Sequence, residues 1–407
     1  MDSETLAPPG GPLSELITTF NELNGAFIDE LDEEPSPLEF MRYVARNTPF
    51  VVRGAASSWR SNKTWDKEFL LDVFKDQTVN VAVTPFGNAD APTFHDGGVV
   101  FAKPHEEHQD FEEFLNYVIG QERSKDTTSE VRYAQTRMSF STFISSHNSR
   151  FIILTTLSQT RHQPSVFTYK DSHISFQKHS YSHRSTNPAL TNSENDNLRN
   201  EYLPLFNHVP PSVPFARIAL DRDPDAINLW IGNARSVTAL HKDNYENIYV
   251  QVRGRKHFVL LPPLCHPCVN EQSLTPATYH RHRKESCSND LTLELDRDDD
   301  NNANEAKSKL SDKVPFATWD PDFPQVNATP YSHLAEPVRV TLEPGDMLYL
   351  PAMWYHKVSQ SCPEDGEGFA LAVNYWYDME FSGPLYPFSS FVRNISLQKS
   401  SPSAARQ

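Results

Sequence analysis

The sequence predicts a mainly β protein whose core is a double-sheet jelly roll, with a mixed α/β segment before it and a short helical segment after it. From residue 215 onward, short apolar segments with strand-like composition alternate with turn residues, for example at positions 253–254 and 343–346. Short, closely spaced antiparallel strands of this kind are typical of jelly rolls. With 407 residues and 38% hydrophobic content, the chain is long enough for a sizeable core.

The first 125 residues alternate between helical and strand patterns. Residues 1–12 contain the stretch APPGGP and are predicted to be a disordered tail. Helices are predicted in LSELITTFNELN, in SPLEFMRYVARN with a capping box from Ser36 to Glu39, in KTWDKEFLLDVFKD, and in FEEFLNYVIG, which would end at Gly120. Strands are predicted in PFVVRG and VNVAVT. Residues 13–125 are therefore predicted to form an α/β cap.

The core domain is predicted to span residues 126–395, followed by a disordered tail at 396–407. Its main strands are predicted in AINLWIG, ENIYVQVRGRKHFVLLPP, VRVTLEPGDMLYLPAMWYHKV and FALAVNYWYD. Residues 283–312, which include an acidic run, are predicted to be a charged loop.

Residues 138–195 depart from the style of the rest of the chain. They are rich in Ser, Thr and His, contain few acidic residues and show no sustained periodicity. One interpretation is a disordered insertion, since loops of this length are unusual in compact domains. The other is a retained intron, because removing the segment joins EVRYAQTR to NDNLRNEYLPLF without breaking the pattern. Transcript sequencing across the segment separates the two.

Charge and composition exclude several functional classes. The net charge of −16 argues against direct nucleic-acid binding and against an anionic membrane surface. No stretch approaches the about 18 consecutive apolar residues of a membrane span. Four cysteines do not form a disulfide framework, and the N-terminus lacks the pattern of a secretory signal. We expect a protein of the cytoplasm or nucleus that is not secreted.

The segment TALHKDNYENIY, residues 238–249, carries the chemistry. Side chains two apart in a strand share a face, so His241 and Asp243 point the same way while Lys242 points the other way. His356, which opens the strand after LYLPAMWY, offers a third ligand. Two histidines and one carboxylate form the facial triad of non-heme Fe(II) oxygenases, which leaves positions open for a chelating cosubstrate and O2.

An H-x-D pair alone is weak evidence, and the residues at fixed offsets from it strengthen the prediction. Thr238 lies three residues before His241, Asn247 lies six after it, and Lys256 lies on the partner strand of the hairpin. An inward lysine in a jelly roll is costly unless it meets an anion. A dicarboxylate cosubstrate would supply that anion, and Thr238 could add a hydroxyl donor. The alternative is that Lys256 is a solvated hairpin lysine.

The combined motifs resemble a known family. The sequence resembles the JmjC-domain, cupin-fold oxygenases that depend on Fe(II) and 2-oxoglutarate. The residues that carry this resemblance are DAINLWIGNARSVTALHKDNYENIYVQVRGRKHFVLLPP, followed by GDMLYLPAMWYHKV and LAVNYWYDMEF. The resemblance extends upstream through PFVVRG and TPFGNADA, and it covers most of the chain apart from the tails, residues 138–195 and most of 283–312. It implies the family's cofactors Fe(II), 2-oxoglutarate and O2, and within the family it points to enzymes that hydroxylate protein lysine side chains at C-3.

The resemblance also implies roles for individual residues. The iron ligands would be His241, Asp243 and His356. The 2-oxoglutarate residues would be Tyr133, Thr238 and Lys256 at the distal carboxylate, and Asn247 and Asn374 near the chelating end. A rival alignment through HISFQKH would put Ser175 in place of Tyr133. If the substrate is a lysine, the carboxylates expected to hold its ammonium group are Asp90, Glu246 and Asp378.

Three other functions stay open at this point. They are a JmjC histone-lysine demethylase, a metal-dependent endopeptidase acting on basic protein tails, and a non-catalytic cupin scaffold. For the hydroxylase, the resemblance implies a protein substrate, with a translation-linked GTPase as the candidate. A homodimer through the terminal helices is compatible with the sequence.

Overall fold

A computed structural model of the chain describes residues 10–135, 196–281, 291–297 and 310–400. The segment at 138–195, for which the sequence suggests an insertion or a retained intron, lies outside the described residues, as does Ser175. Residues 1–9 and 401–407 of the two predicted tails and most of the predicted loop at 283–312 also lie outside them.

The described strands follow one another in this order: β1 (Asp29–Leu31), β2 (Phe50–Val52), β3 (Thr78–Thr84), β4 (Ala91–His95), β5 (Gly98–Lys103), β6 (His105–Asp110), β7 (Val131–Tyr133), β8 (Ala226–Gly232), β9 (Thr238–Lys242), β10 (Tyr245–Arg253), β11 (Arg255–Leu261), β12 (Glu271–Arg281), β13 (Leu291–Leu295), β14 (Val314–Ala317), β15 (Val338–Leu342), β16 (Met347–Leu350), β17 (Tyr355–Ser361) and β18 (Ala370–Asp378).

The described helices are α1 (Pro12–Asn24), α2 (Pro37–Arg46), α3 (Arg60–Thr64), α4 (Lys67–Val73), α5 (Phe111–Ser124), α6 (Asn197–Asn200), α7 (Leu203–Phe206), α8 (Pro214–Leu220) and α9 (Leu385–Ser400). Two short 3-10 helices cover Pro263–Cys268 and Ser332–Leu334. Among these described helices, none has the length and apolar character needed to cross a membrane.

Two sheets form the jelly roll that the sequence predicts. One has the strand order β1-β2-β16-β10-β18-β8 and the other β15-β11-β17-β9. Their inner faces meet in one apolar cluster, where Tyr249 and Leu348 of the first sheet pack with Phe258, Leu260 and Val340 of the second. Alternation along each strand therefore sends every second side chain into the space between the sheets, here called the lumen.

The outer face of the six-stranded sheet is covered by helices, and the largest cluster of buried apolar residues lies here. The rings of Phe40 in α2 and Phe215 in α8 pack edge to face with their centroids 5.1 Å apart. The Phe40 ring also packs edge to face against Tyr349 of β16, with centroids 4.8 Å apart. The predicted cap is built into this sheet, because β2 pairs antiparallel with β16, with Phe50 opposite Tyr349. The predicted boundary between residues 125 and 126 is therefore not a structural boundary.

Local signals explain where the N-terminal helices begin and end. Ser36 caps α2 as predicted, since its hydroxyl accepts a hydrogen bond from the Glu39 amide at 3.2 Å. The prediction of a single helix in KTWDKEFLLDVFKD is wrong. It is two short helices, because Asp66 caps α4 by accepting from the Phe69 amide at 2.8 Å. The predicted stop at Gly120 is also wrong, since α5 continues to Ser124.

Two predicted irregular segments contain regular structure. Strand β13 lies within the predicted charged loop at 283–312, and it pairs antiparallel with β12 with Leu293 opposite Tyr279. Helix α9 has 16 residues and reaches Ser400, so the predicted disordered tail does not begin at 396. This helix packs against the 3-10 helix at Pro263–Cys268, and Arg393 pairs with buried Glu271 at the start of β12.

Two smaller sheets flank the lumen. One has the order β13-β12-β5-β4, with β14 attached to β12, and the other has the order β6-β3-β7. Strand β4 lies against β9. Strand β7 brings Tyr133 beside β8, where Ala134 and Ile231 form a bridge through two hydrogen bonds of 2.9 and 3.0 Å. These contacts place β4 and β7 at the side of the lumen.

Candidate metal centre

Strands β9 and β17 bring the predicted triad together. His241 of β9 stands directly opposite His356 of β17, and Asp243 follows at the end of β9. The Nε2 atoms of both histidines lie 3.6 Å from Oδ2 of Asp243. One ligand atom from each of the three side chains lies within 4.8 Å of the others, so they converge on one point. Within the described residues, this is the only group of three or more His, Cys, Asp or Glu side chains arranged in this way.

Backbone carbonyls orient both imidazole rings. Nδ1 of His241 lies 2.8 Å from the Ala239 oxygen, and Nδ1 of His356 lies 3.0 Å from the Trp354 oxygen. Because a carbonyl only accepts, each Nδ1 donates its proton. The Nε2 lone pairs are therefore left free to face Asp243, which is the arrangement that a metal-ligating histidine needs.

The charges of the triad suit a cation. Burial and then the neighbouring His241 lower the pKa of His356 to about 4, which keeps it neutral. Burial alone would raise the pKa of Asp243, but the His241 and His356 imidazoles hold it below its usual range. The result is one carboxylate beside an imidazole that stays neutral, a donor set for a divalent metal.

A bulge in β9 puts Thr238 on the same side as His241. Residues three apart in a regular strand face opposite ways. Here His356 is opposite His241 and Val358 is opposite Thr238, so two steps along β17 correspond to three along β9. His356 and Val358 share a face, and the extra residue in β9 therefore lets Thr238 face the lumen with the ligand.

Lys256 is a buried cation with no counter-ion among the described residues. It lies on β11, is 3% exposed, and donates a hydrogen bond from Nζ to the Tyr133 hydroxyl at 2.8 Å. In the part of the chain that the structure describes, no carboxylate pairs with it. Burial lowers the pKa of Lys256 to about 7, so the charged form is unfavourable until an anion arrives. This orphaned ammonium group fits the distal carboxylate of 2-oxoglutarate.

Two asparagines form a polar wall that is linked to Tyr133 through Trp230. Asn374 of β18 donates from Nδ2 to Oδ1 of Asn247 at 3.1 Å, and it accepts from Nε1 of Trp230 at 2.9 Å. The Trp230 ring in turn stacks on Tyr133 with centroids 6.2 Å apart. Trp230 was not predicted as a site residue. Its inward position in AINLWIG, alternating with apolar residues, was the signal available.

Asp90 lies beside the triad, and Asp378 lies at the outer end of β18. Asp90 is 6% exposed, and it accepts from Nε2 of Gln135 at 3.2 Å. Burial and then the Glu106 carboxylate raise the pKa of Asp90 to about 7, while His241 acts in the opposite direction. Asp378 is exposed and is paired in register with Tyr245. Gln135 was missed by sequence reasoning, although it stands two residues after Tyr133.

The expectation for Glu246 is wrong. It neighbours Asn247 in β10, so alternation turns it to the outer face of the sheet. There it is buried and accepts from the Tyr349 hydroxyl at 2.6 Å and from the Ala352 amide at 3.1 Å. Its carboxylate is committed to these donors and does not reach the lumen.

Comparison with known proteins places these residues in a wider context. The model of the Cupin-like domain matches residues 35–383. The chain is 30% identical over 387 residues to "Lysine-specific demethylase JMJ32" of Arabidopsis thaliana, covering 93% of this chain and 89% of that one. It is 30% identical over 372 residues to the human "Bifunctional peptidase and (3S)-lysyl hydroxylase JMJD7", covering 91% and 89%. It is 28% identical over 376 residues to "JmjC domain-containing protein E" of Dictyostelium discoideum, covering 89% and 87%.

Proposed function

Because this chain belongs to the Cupin-like, JmjC family of oxygenases, we propose that it uses Fe(II) and 2-oxoglutarate to hydroxylate a lysine side chain of a protein. The resemblance seen in the sequence is confirmed at the level of the family. The observation that carries the proposal is the convergence of His241, Asp243 and His356, together with buried Lys256 on the same sheet, which has no counter-ion among the described residues.

Each cofactor has residues suited to hold it. The two Nε2 atoms and the Asp243 carboxylate would hold Fe(II), with Nδ1 of each histidine fixed by a backbone carbonyl. Lys256, Tyr133 and Thr238 would bind the distal carboxylate of 2-oxoglutarate. The polar wall of Asn247 and Asn374 would lie near its chelating end. All of these residues lie on the jelly-roll strands except Tyr133 and Asp243, which directly follows β9.

The protein supplies position and the exclusion of water. When bound, iron and 2-oxoglutarate direct one atom of O2 into a substrate C–H bond and the other into succinate, with release of CO2. Lys256 neutralises the cosubstrate in a region of low dielectric, where a single charge-assisted hydrogen bond is strong. The apolar cluster around Phe258 and Leu260 closes the lumen behind it. The open side is left to the substrate.

An anaerobic Fe(II) titration with and without 2-oxoglutarate tests the proposal. We expect the visible charge-transfer band of the chelate in the parent protein and its loss in His241→Ala. The product mass then identifies the reaction, since hydroxylation adds one oxygen atom to a target protein. A folded, metal-loaded protein without the band would contradict the oxygenase assignment.

Two relatives name other reactions, and each predicts a different product. A demethylase, as JMJ32 is named, would remove a methylene from methyllysine. A peptidase, as JMJD7 is also named, would give two fragments without a need for 2-oxoglutarate. The hydroxylase is favoured over the peptidase because the peptidase leaves Lys256 without a partner. We further propose a translation-linked GTPase as substrate, a location in the cytoplasm or nucleus, and a homodimer as the form to test.

A further inference from the structure

We propose that Asp90 and Gln135 form a pocket beside the candidate metal centre that accepts the unmethylated ammonium group of a lysine and disfavours trimethyllysine. This inference rests on the proposed function and narrows its substrate class. It also separates a hydroxylase of free lysine from a demethylase.

The pocket adjoins the site for the cosubstrate. Ala89, next to Asp90, lines one cavity together with Gln135, Tyr133 and Thr238. Asp90 itself immediately precedes β4, and that strand lies against the ligand strand β9. The carboxylate therefore lies at the side of the lumen, between the cap and the triad.

The Asp90 carboxylate has fewer partners than a buried charge requires. Among the described residues, it accepts one hydrogen bond, from the Gln135 side-chain amide to Oδ2. Over the described ranges, no lysine or arginine forms an ion pair with it, and the nearby Lys103 is paired with Asp296. The charged groups that act on Asp90 are Glu106, His241 and Lys103. An ionised carboxylate can accept about four hydrogen bonds, so an incoming cation with N–H donors would satisfy it.

The loop that carries Asp90 packs closely against the segment before β9. Asp90 has a φ of 53°, a left-handed conformation that aspartate tolerates better than most side chains. Gly87, three residues earlier, is held by the Thr84 hydroxyl and by the Val237 amide, each at 2.9 Å. A Cβ at Gly87 would stand 2.0 Å from the Arg235 oxygen, so the loop fits closely against the segment leading into β9. The carboxylate is thus held in place before any substrate binds.

This pocket distinguishes lysine from trimethyllysine by the number of N–H donors that each head group offers. A lysine ammonium offers three donors and a compact charge, whereas trimethyllysine offers the charge without donors. Leaving a buried acceptor without a hydrogen-bond donor costs binding free energy. Such a site therefore binds analogues that lack the donor much more weakly.

The test uses the full chain with Fe(II), 2-oxoglutarate and O2. Two degenerate heptapeptide pools are compared, one with unmodified lysine at the centre and one with trimethyllysine. We expect the unmodified pool to stimulate succinate formation and to gain one oxygen atom, with stimulation by the trimethylated pool lower by about a hundredfold. Asp90→Asn should lower stimulation by the unmodified pool by about tenfold to a hundredfold, since it removes the charge and keeps the shape. The matched control is Asp96→Asn, because Asp96 is an exposed carboxylate on the same hairpin, and it should behave as the parent does.

Several results would overturn the inference. They are equal stimulation by the two pools, no stimulation by either, loss of a methyl group from the trimethylated pool, or parent-like stimulation in Asp90→Asn. If Asp90→Asn does not fold, the comparison of pools on the parent protein still decides. Failure of the proposed function looks different, because the chelate band would then be missing before any peptide is added.

Discussion

Replacing Lys256 with methionine should move cosubstrate affinity and protein stability in opposite directions. Methionine has a similar length and fills the same space, but it carries no charge. Without ligand, Lys256 is a buried cation whose only hydrogen-bond acceptor in the described part of the chain is the Tyr133 hydroxyl. With 2-oxoglutarate bound, the same cation would face a carboxylate. The substitution therefore removes an unpaired buried charge from the ligand-free protein and an ion pair from the complex with 2-oxoglutarate.

The structure sets the size of both effects. Lowering the pKa of Lys256 from its ordinary 10.5 to about 7 costs about 4 kcal/mol of folding free energy at pH 7. Lys256→Met should thus raise the free energy of unfolding of the ligand-free protein by up to about 4 kcal/mol. Leaving a buried carboxylate without its partner costs about 3–5 kcal/mol, so 2-oxoglutarate should bind more than about a hundredfold more weakly.

The pH dependence gives a second signature. Between pH 7 and 10.5, the unfolded chain keeps its proton on Lys256 while the folded protein loses it. The stability of the ligand-free parent should therefore rise with pH across this window, and the variant should lack that rise. The same proton must be regained when 2-oxoglutarate binds, so the affinity of the parent should fall as pH rises above about 7.

Denaturant unfolding without ligand at pH 7 and 9, together with calorimetry of 2-oxoglutarate binding, measures both effects. Tyr133→Phe is the control, because it keeps the charge of Lys256 and removes only the hydroxyl. A variant that is less stable than the parent, or that binds 2-oxoglutarate as the parent does, would refute the assignment of Lys256 as a buried anion-binding group.

Three further predictions concern the surroundings of the site. Gly232→Ala would place a Cβ 2.3 Å from the Tyr133 ring, so we expect weaker 2-oxoglutarate binding by calorimetry with little change in Fe(II) affinity; an equal loss of both would contradict this. Thr238→Val keeps the shape and removes the hydroxyl, and it should weaken 2-oxoglutarate binding by about fivefold, whereas unchanged affinity would remove Thr238 from the site. Glu271→Gln should lower the free energy of unfolding by about 3 kcal/mol at pH 7, because buried Glu271 pairs with Arg393. Burial would raise the pKa of Glu271, but His266 and Arg393 lower it to about 2. This stabilisation is therefore present above about pH 4.5 and is lost as the pH falls toward 2. A variant that unfolds like the parent at pH 7 would contradict the prediction.

Much of the fold could be predicted because strand periodicity is a local property. Alternation placed His241 and Asp243 on one face, and that rule needs no tertiary information. The same rule, applied consistently, would have excluded Glu246 once Asn247 was assigned to the lumen. An acidic residue near the lumen in the sequence points into it only if its position in the strand alternation allows this.

Other features had no local signal. The pairing of β2 with β16 joins segments at the two ends of the chain, and nothing in PFVVRG specifies that partner. Gln135 was missed because its partner Asp90 lies 45 residues earlier in the chain, before β4. The two helices in KTWDKEFLLDVFKD could have been separated, since Asp66 is a common N-cap residue followed by a helical pattern.

The extra residue in β9 makes two binding functions depend on one strand irregularity. The bulge lets Thr238 and His241 face the same way although an odd number of steps separates them. If the same residues formed a regular ladder without the bulge, Thr238 would point away from the lumen while His241 and Asp243 would keep their relation. The direction of the Thr238 side chain therefore depends on the bulge while the pair of metal ligands does not, and comparisons of this motif between sequences need to treat the three-residue spacing as part of the site.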